Sequence, residues 1–180
     1  MRGRRLPSPR GPRGGAAEPL DAAALRDAAL RLLARREYGR AEIAQRLRAR
    51  GGQPDDIAAT LDALAADGYL SDERFADMLV QSRSGRFSTR AIAHELKERG
   101  VASDAAQAAL ERRGPTDDLA EAHALWERRF GAAPRDERDK ARQVRFLMSR
   151  GFGMAIALRV LKLVAAAALA GSDDDAGDEV

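Results

Sequence analysis

The residues that could do chemistry are few. The chain has two histidines, His94 and His123, and neither has a partner at metal-ligand spacing. His94 stands beside Glu95 on the polar side of a helical pattern, where solvent is its expected surrounding. The acidic pairs Asp55–Asp56 and Asp117–Asp118 stand at the starts of helical segments, where carboxylates favour the positive end of the helix dipole. That is a structural role, not acid–base chemistry. The glycines of "GPRGG" follow no strand, so they form no phosphate loop. There is no cysteine, which removes disulfides, thiolate metal sites and cysteine nucleophiles. Trp126 and the phenylalanines fit core positions better than a base-stacking platform. The sequence predicts no enzyme, no cofactor and no metal.

Charge remains. Arg40, Arg46, Arg48 and Arg50 cluster on one short segment, and Arg90, Lys97 and Arg99 take related places further on. Arg138, Arg142 and Arg145, at i, i+4 and i+7, share a helix face with Lys140 nearby. Cations recurring in this way could form a basic strip along an array, a surface suited to a long partner. The alternative for each arginine is a solvated face with local ion pairs.

The elements that must carry these residues are helices. Ala, Leu, Arg and Glu are plentiful, aromatics are 4% and charged residues 33% of 180 residues. The chain also repeats itself. "REYGRAEIAQRLRARG" at 36–51 returns as "RFSTRAIAHELKERG" at 86–100, so that Tyr38, Ile43, Leu47 and Gly51 answer to Phe87, Ile92, Leu96 and Gly100. In the first copy a helix is predicted over 21–37. A second helix follows with N-cap Gly39, Glu42 at N3, and Tyr38 and Ile43 as a hydrophobic staple. Gly51 ends it, and Pro54 opens a third helix with Ile57, Leu61 and Leu64 on its apolar face. The second copy predicts a helix over 72–83 with Phe75, Ala76, Leu79 and Val80 inward. Ser88 then caps the next helix inside a Phe87–Ile92 staple, Gly100 stops it, and Ser103 caps a helix showing Ala106 and Leu110.

A third copy sets Leu147, Arg150, Gly151 and Leu161 one hundred residues after Leu47, Arg50, Gly51 and Leu61. Its first helix is predicted over 118–130, with Leu119, Ala122, Leu125 and Trp126 apolar. Asp139 falls on its N-cap position, with Arg138 and Gln143 where the staple would be. The reading is an all-α protein of three tandem three-helix, helix-turn-helix-like repeats in an elongated, curved array. The alternative is one bundle of periodic amphipathic helices. The repeats are placed at 20–70, 71–115 and 116–170, between a disordered basic tail at 1–19 and a disordered acidic tail at 171–180. The first tail holds five arginines and one glutamate, the second five acids. Taking them from 31 basic and 28 acidic residues leaves 26 and 22, a mildly basic body. No apolar run follows the basic N-terminus, and the longest, 163–170, is too short to span a bilayer. A cytoplasmic protein is expected.

"ARREYGRAEIAQRLRARG", "LAADGYLSDERFADMLVQSR", "FSTRAIAHELKERGV" and "KARQVRFLMSRGF", in order over about 22–163, resemble the RecX family, regulators of the RecA recombinase. The most specific piece is "DGYLSDERFA", 67–76. There Gly68 turns the chain, Leu70 packs, Ser71 or Asp72 caps the next helix, and Phe75 and Ala76 enter the core. Gly151 and Phe152 complete the signature. The resemblance implies a monomer that lies in the groove of the RecA filament on single-stranded DNA. There it inhibits ATPase and strand exchange and limits filament growth, with at most weak direct contact to DNA and none to membranes. Arg40, Arg46, Arg48, Arg90, Lys97, Arg138, Lys140, Arg142 and Arg145 would face the filament. The two tails and the long loop "GAAPRDER" depart from the family pattern. Two other functions compete: a direct DNA binder of helix-turn-helix type, and a helical scaffold with an unrelated protein partner.

Overall fold

The computed structural model describes residues 21–173, with side chains to 170. The basic tail predicted at 1–19 lies outside the described residues, as does 174–180 of the acidic one. Nine helices make up the described chain: α1 (Ala22–Leu33), α2 (Arg40–Arg48), α3 (Pro54–Ala66), α4 (Asp72–Arg83), α5 (Thr89–Glu98), α6 (Ser103–Arg113), α7 (Asp118–Arg129), α8 (Glu137–Ser149) and α9 (Met154–Asp173). The last helix takes 171–173, the start of the predicted acidic tail, into its final turn.

Helices pack in threes. α1, α2 and α3 meet one another, as do α4, α5 and α6, and α7, α8 and α9. Each trio encloses its own core. Leu25, Ile43, Leu47, Ile57, Leu61 and Leu64 fill the first. Phe75, Leu79, Ile92, Leu96 and Val101 fill the second. Trp126, Leu147, Phe152, Ala157 and Val160 fill the third. Burial of these apolar side chains, at about 25 cal/mol per Å², is the main force holding each unit together.

The same turn closes the middle helix of every unit. Gly51, Gly100 and Gly151 have φ of 90°, 75° and 90°. Their N–H groups donate to the carbonyls of Arg48, Lys97 and Met148. The next N–H groups, of Gly52, Val101 and Phe152, reach back to Leu47, Leu96 and Leu147. This paired closure satisfies carbonyls that the helix end would otherwise leave open. Gly68 (φ 76°) closes α3 in the same way, and Leu70 then drops into the first core.

Two helix starts and one helix end differ from expectation, and a third start is settled between two candidates. α1 ends at Leu33, not at 37: Ala34, Arg35 and Arg36 are exposed, so no core contact holds that turn helical, and the chain straightens to bury Tyr38. Ser103 does not cap α6; it is the helix's first residue, and the N-cap, Ala102, offers no side-chain acceptor. Of the two candidates before α4, Ser71 is the cap, accepting from Arg74 N at 3.2 Å. The N-cap of α8 is Asp136, three residues before Asp139. Asp136 Oδ1 accepts from Asp139 N at 2.7 Å, while Asp139 Oδ2 accepts from Arg135 N at 3.3 Å. A pair of acids three apart caps that end reciprocally, and this adds nearly a turn that the repeat spacing did not predict.

Candidate partner-binding surface

The units touch through small seams, and the seams set where the basic residues sit. At the first seam the Phe75 ring lies 3.1 Å from where a Cβ on Gly39 would be. Gly39 has no side chain to cap α2, and Asp72 of the next unit does so instead, its Oδ1 accepting from Arg40 N at 2.8 Å. Arg74 pairs with Glu37 at 2.8 Å. A Cβ on Gly100 would stand 2.7 Å from Ala41 Cβ. At the second seam Ser88 N donates to Arg150 O at 3.0 Å. A Cβ on Gly151 would stand 2.6 Å from Ser88 Oγ and closer still to Ala91 Cβ. Each seam thus presses the glycine corner of one unit against an alanine near the start of the previous unit's middle helix.

Charge is concentrated at these seams. Glu42 accepts from Arg36 and Arg46 at 2.7 Å each and lies 3.8 Å from Arg99 across the first seam. Burial pushes its carboxyl up, but the hydrogen bonds from Arg36 and Arg46 outweigh that, and it sits below the usual glutamate value. Glu95 receives a two-pronged Arg83 at 2.8 and 2.9 Å, and Arg99 at 2.7 Å. The Arg83 bonds hold it below the ordinary value. At the second seam Arg150 stacks over Phe87 at 5.0 Å and Phe146 at 5.3 Å. Glu95 and Arg99, four apart at the end of α5, pair by the ordinary spacing of neighbours on a helix face, whereas Arg74, Arg83 and Arg99 reach acids on other helices or loops that no local spacing announces.

The nine cations predicted to face a partner divide into two groups. Four are engaged within the fold. Arg40 pairs with Asp62 at 2.6 Å, Arg46 with Glu42, Lys140 with Glu137 at 3.1 Å, and Arg142 with Asp139 at 2.6 Å. The other five, Arg48, Arg90, Lys97, Arg138 and Arg145, are exposed, and no ion pair or hydrogen bond reaches their side chains among the described residues; the Arg50 side chain is in the same state. Every middle helix therefore carries or adjoins free cations. Arg90 and Lys97 are seven apart on α5, and Arg138 and Arg145 seven apart on α8, so each pair shares a helix face.

The apolar signature residues lie beneath this surface. Tyr38, Ile43, Leu70, Phe75, Ala76 and Phe152 are buried and Phe87 is half-buried, with Phe75 and Ala76 fully enclosed. No group of three or more acidic or imidazole side chains could hold a metal among the described residues, and none of the described helices is long and apolar enough to cross a membrane.

Family models match the chain in three consecutive pieces: the first three-helix domain of RecX at residues 26–64, the second at 71–110 and the third at 116–161. The chain belongs to the RecX family. Regulatory protein RecX of Halorhodospira halophila is 48% identical over 157 residues, covering 86% of this chain and 92% of that protein. Regulatory protein RecX of Chromobacterium violaceum is 41% identical over 151 residues, covering 84% and 93%. The crystal structure of RecX from Lactobacillus salivarius shares the fold with a TM-score of 0.60 at 18% identity, over 80% of this chain and 96% of that one. RecX membership fits the all-α repeat and its triple set of glycine corners, and it marks the chain as a regulatory protein.

Proposed function

We propose that this chain regulates the RecA recombinase. It binds the filament that RecA forms on single-stranded DNA, lies along its groove, suppresses ATPase and strand exchange and limits filament growth. It does this without chemistry of its own. The observation that carries the reading is the set of free cations on successive middle helices: Arg48 after α2's last core leucine, Arg90 and Lys97 on α5, Arg138 and Arg145 on α8. A filament presents acidic and phosphate groups at regular intervals, and a ligand with cations at regular intervals gains orientation and association rate from them. The third helices of the first two units argue against a helix-turn-helix reader. α3 opens with Asp55 and Asp56 and α6 with Asp104, acids that would repel phosphates at the end meant for base edges.

The test is charge reversal at Arg138→Glu with Arg145→Glu. Neither side chain has a partner among the described residues to lose, so helicity should be unchanged while RecA ATPase inhibition weakens. Full inhibition by the double variant would remove α8 from the contact surface. Arg142 is unsuited to this test, because reversing it would set a second carboxylate beside Asp139.

A further inference from the structure

Three glycine corners are built alike, and two of them are occupied. Gly100 presses on Ala41 of the preceding unit and Gly151 on Ala91. The arginine before each glycine crosses the seam as well. Arg99 sets its carbonyl 3.7 Å from the Cβ position of Gly39 and its guanidinium 3.8 Å from Glu42. Arg150 accepts from Ser88 through its carbonyl and lays its guanidinium over Phe87. The corner of the first unit has the same two backbone hydrogen bonds and the same left-handed glycine. Nothing stands within 4 Å of a Cβ placed on Gly51, and Arg48 and Arg50 on either side of Ala49 are exposed without a partner among the described residues.

We propose that the Gly51 corner is a docking surface for a helix of a partner protein, one that sets an alanine against Gly51 and a carboxylate within reach of Arg50. The interface is a continuation of one the chain already makes twice. Its template is the first seam, where the receiving helix α2 offers Ala41 and, one residue on, Glu42. Only a small residue admits the close approach seen at Gly100 and Gly151, and with Arg48 and Arg50 side by side the first seam's answer, an acid such as the Glu42 that faces Arg99, fits better than the ring that Arg150 meets at the second. A second copy of this chain does not meet the second condition. One hundred residues beyond Tyr38, Glu42 and Gln45, its free α8 face carries Arg138, Arg142 and Arg145, and all three are exposed. End-to-end stacking would set cation against cation.

The inference deepens the reading of the chain as a filament regulator and takes its partner from that reading. The experiment puts the photo-crosslinking residue p-benzoylphenylalanine at position 49, between the two arginines, in the full chain and adds RecA filaments on single-stranded DNA. Co-sedimentation of the unmodified chain is followed alongside. The expected crosslink maps to a RecA helix with an alanine and an Asp or Glu within one turn. Arg48→Glu with Arg50→Glu should weaken co-sedimentation about tenfold. If the unmodified chain co-sediments while the position-49 probe joins DNA, residues 1–20 of its own chain, a second copy, or nothing, the inference is overturned and the functional reading stands. If the unmodified chain does not co-sediment, the functional reading fails and the inference fails with it.

Discussion

The Oδ1 of Asp72, in the first turn of α4, accepts from the N–H of Arg40, the first residue of α2, at 2.8 Å. A helix in one unit is thus capped by a side chain from the next. Gly39 leaves the cap position without an acceptor, and its missing Cβ is what lets Phe75 lie against the same spot. One short stretch, Ser71 to Ala76, therefore caps its own helix through Ser71, caps another through Asp72, and fills the second core through Phe75 and Ala76. This gives the signature "DGYLSDERFA" a physical reason: it welds two units.

Asp72→Ala should cost about 1 kcal/mol, the usual loss for a helix cap. Urea melts followed by circular dichroism would measure it. Asp72→Asn, which keeps an acceptor oxygen, should recover most of the loss. No change in the midpoint for Asp72→Ala would mean that α2 does not need this cap.

The glycine corners allow an internally controlled comparison. Gly51→Ala and Gly151→Ala both force a Cβ into φ near 90°, at about 1–2 kcal/mol each. Only at Gly151 does the new methyl collide with Ser88 and Ala91. Gly151→Ala should be the more destabilising by about 1–3 kcal/mol. Equal losses would show that the second seam gives way without strain.

The core of the third unit holds a polar pair. Trp126 Nε1 donates to Gln143 Oε1 at 2.6 Å, and both residues are buried. Trp126→Phe leaves that oxygen without its indole donor and should cost about 1–3 kcal/mol beyond the lost packing. Gln143→Met should cost a similar amount by orphaning the indole. The double variant should lose less than the sum of the two, with a coupling of about 0.5–3 kcal/mol. Strict additivity would mean that the hydrogen bond contributes nothing.

Acid should weaken the second unit through Glu95. Its folded-state pKa lies below 4.5, chiefly because of the Arg83 hydrogen bonds, so the unfolded chain takes up its proton first. The stabilisation is full above the unfolded value and is lost as the pH falls through the folded one. Stability should be flat from neutrality to about pH 5 and should decline below 4.5. Glu95→Gln should lower stability at neutral pH and flatten the acid limb in denaturant melts at a series of pH values. An unchanged acid limb would assign the pH dependence to other carboxylates.

The fold was legible where short-range rules decide it. Glycine stops and the Tyr38–Ile43 and Phe87–Ile92 staples repeat at fixed offsets, and the cores close over the leucines that the helical period selects. The start of α8 was not, because the repeat spacing pointed to Asp139 while the local acid pair Asp136–Asp139 fixed the cap a turn earlier. Gln143, read as a missing staple residue, is instead the buried acceptor for Trp126, a pairing across 17 positions that no periodicity announces. The surface was the least legible part. An arginine's type does not say whether an acid waits on another helix, as Asp62 does for Arg40, or whether nothing does, as at Arg145.

The most direct test of the central claim is the ATPase of the cognate RecA on single-stranded DNA, with this chain titrated in below stoichiometry. Binding to bare single-stranded DNA would be measured at the same salt. Suppression is expected at low ratios to RecA, with only weak binding to bare DNA. An unaffected ATPase at stoichiometric amounts would contradict it, and tight, salt-sensitive binding to bare DNA in the same experiment would point to a direct DNA binder.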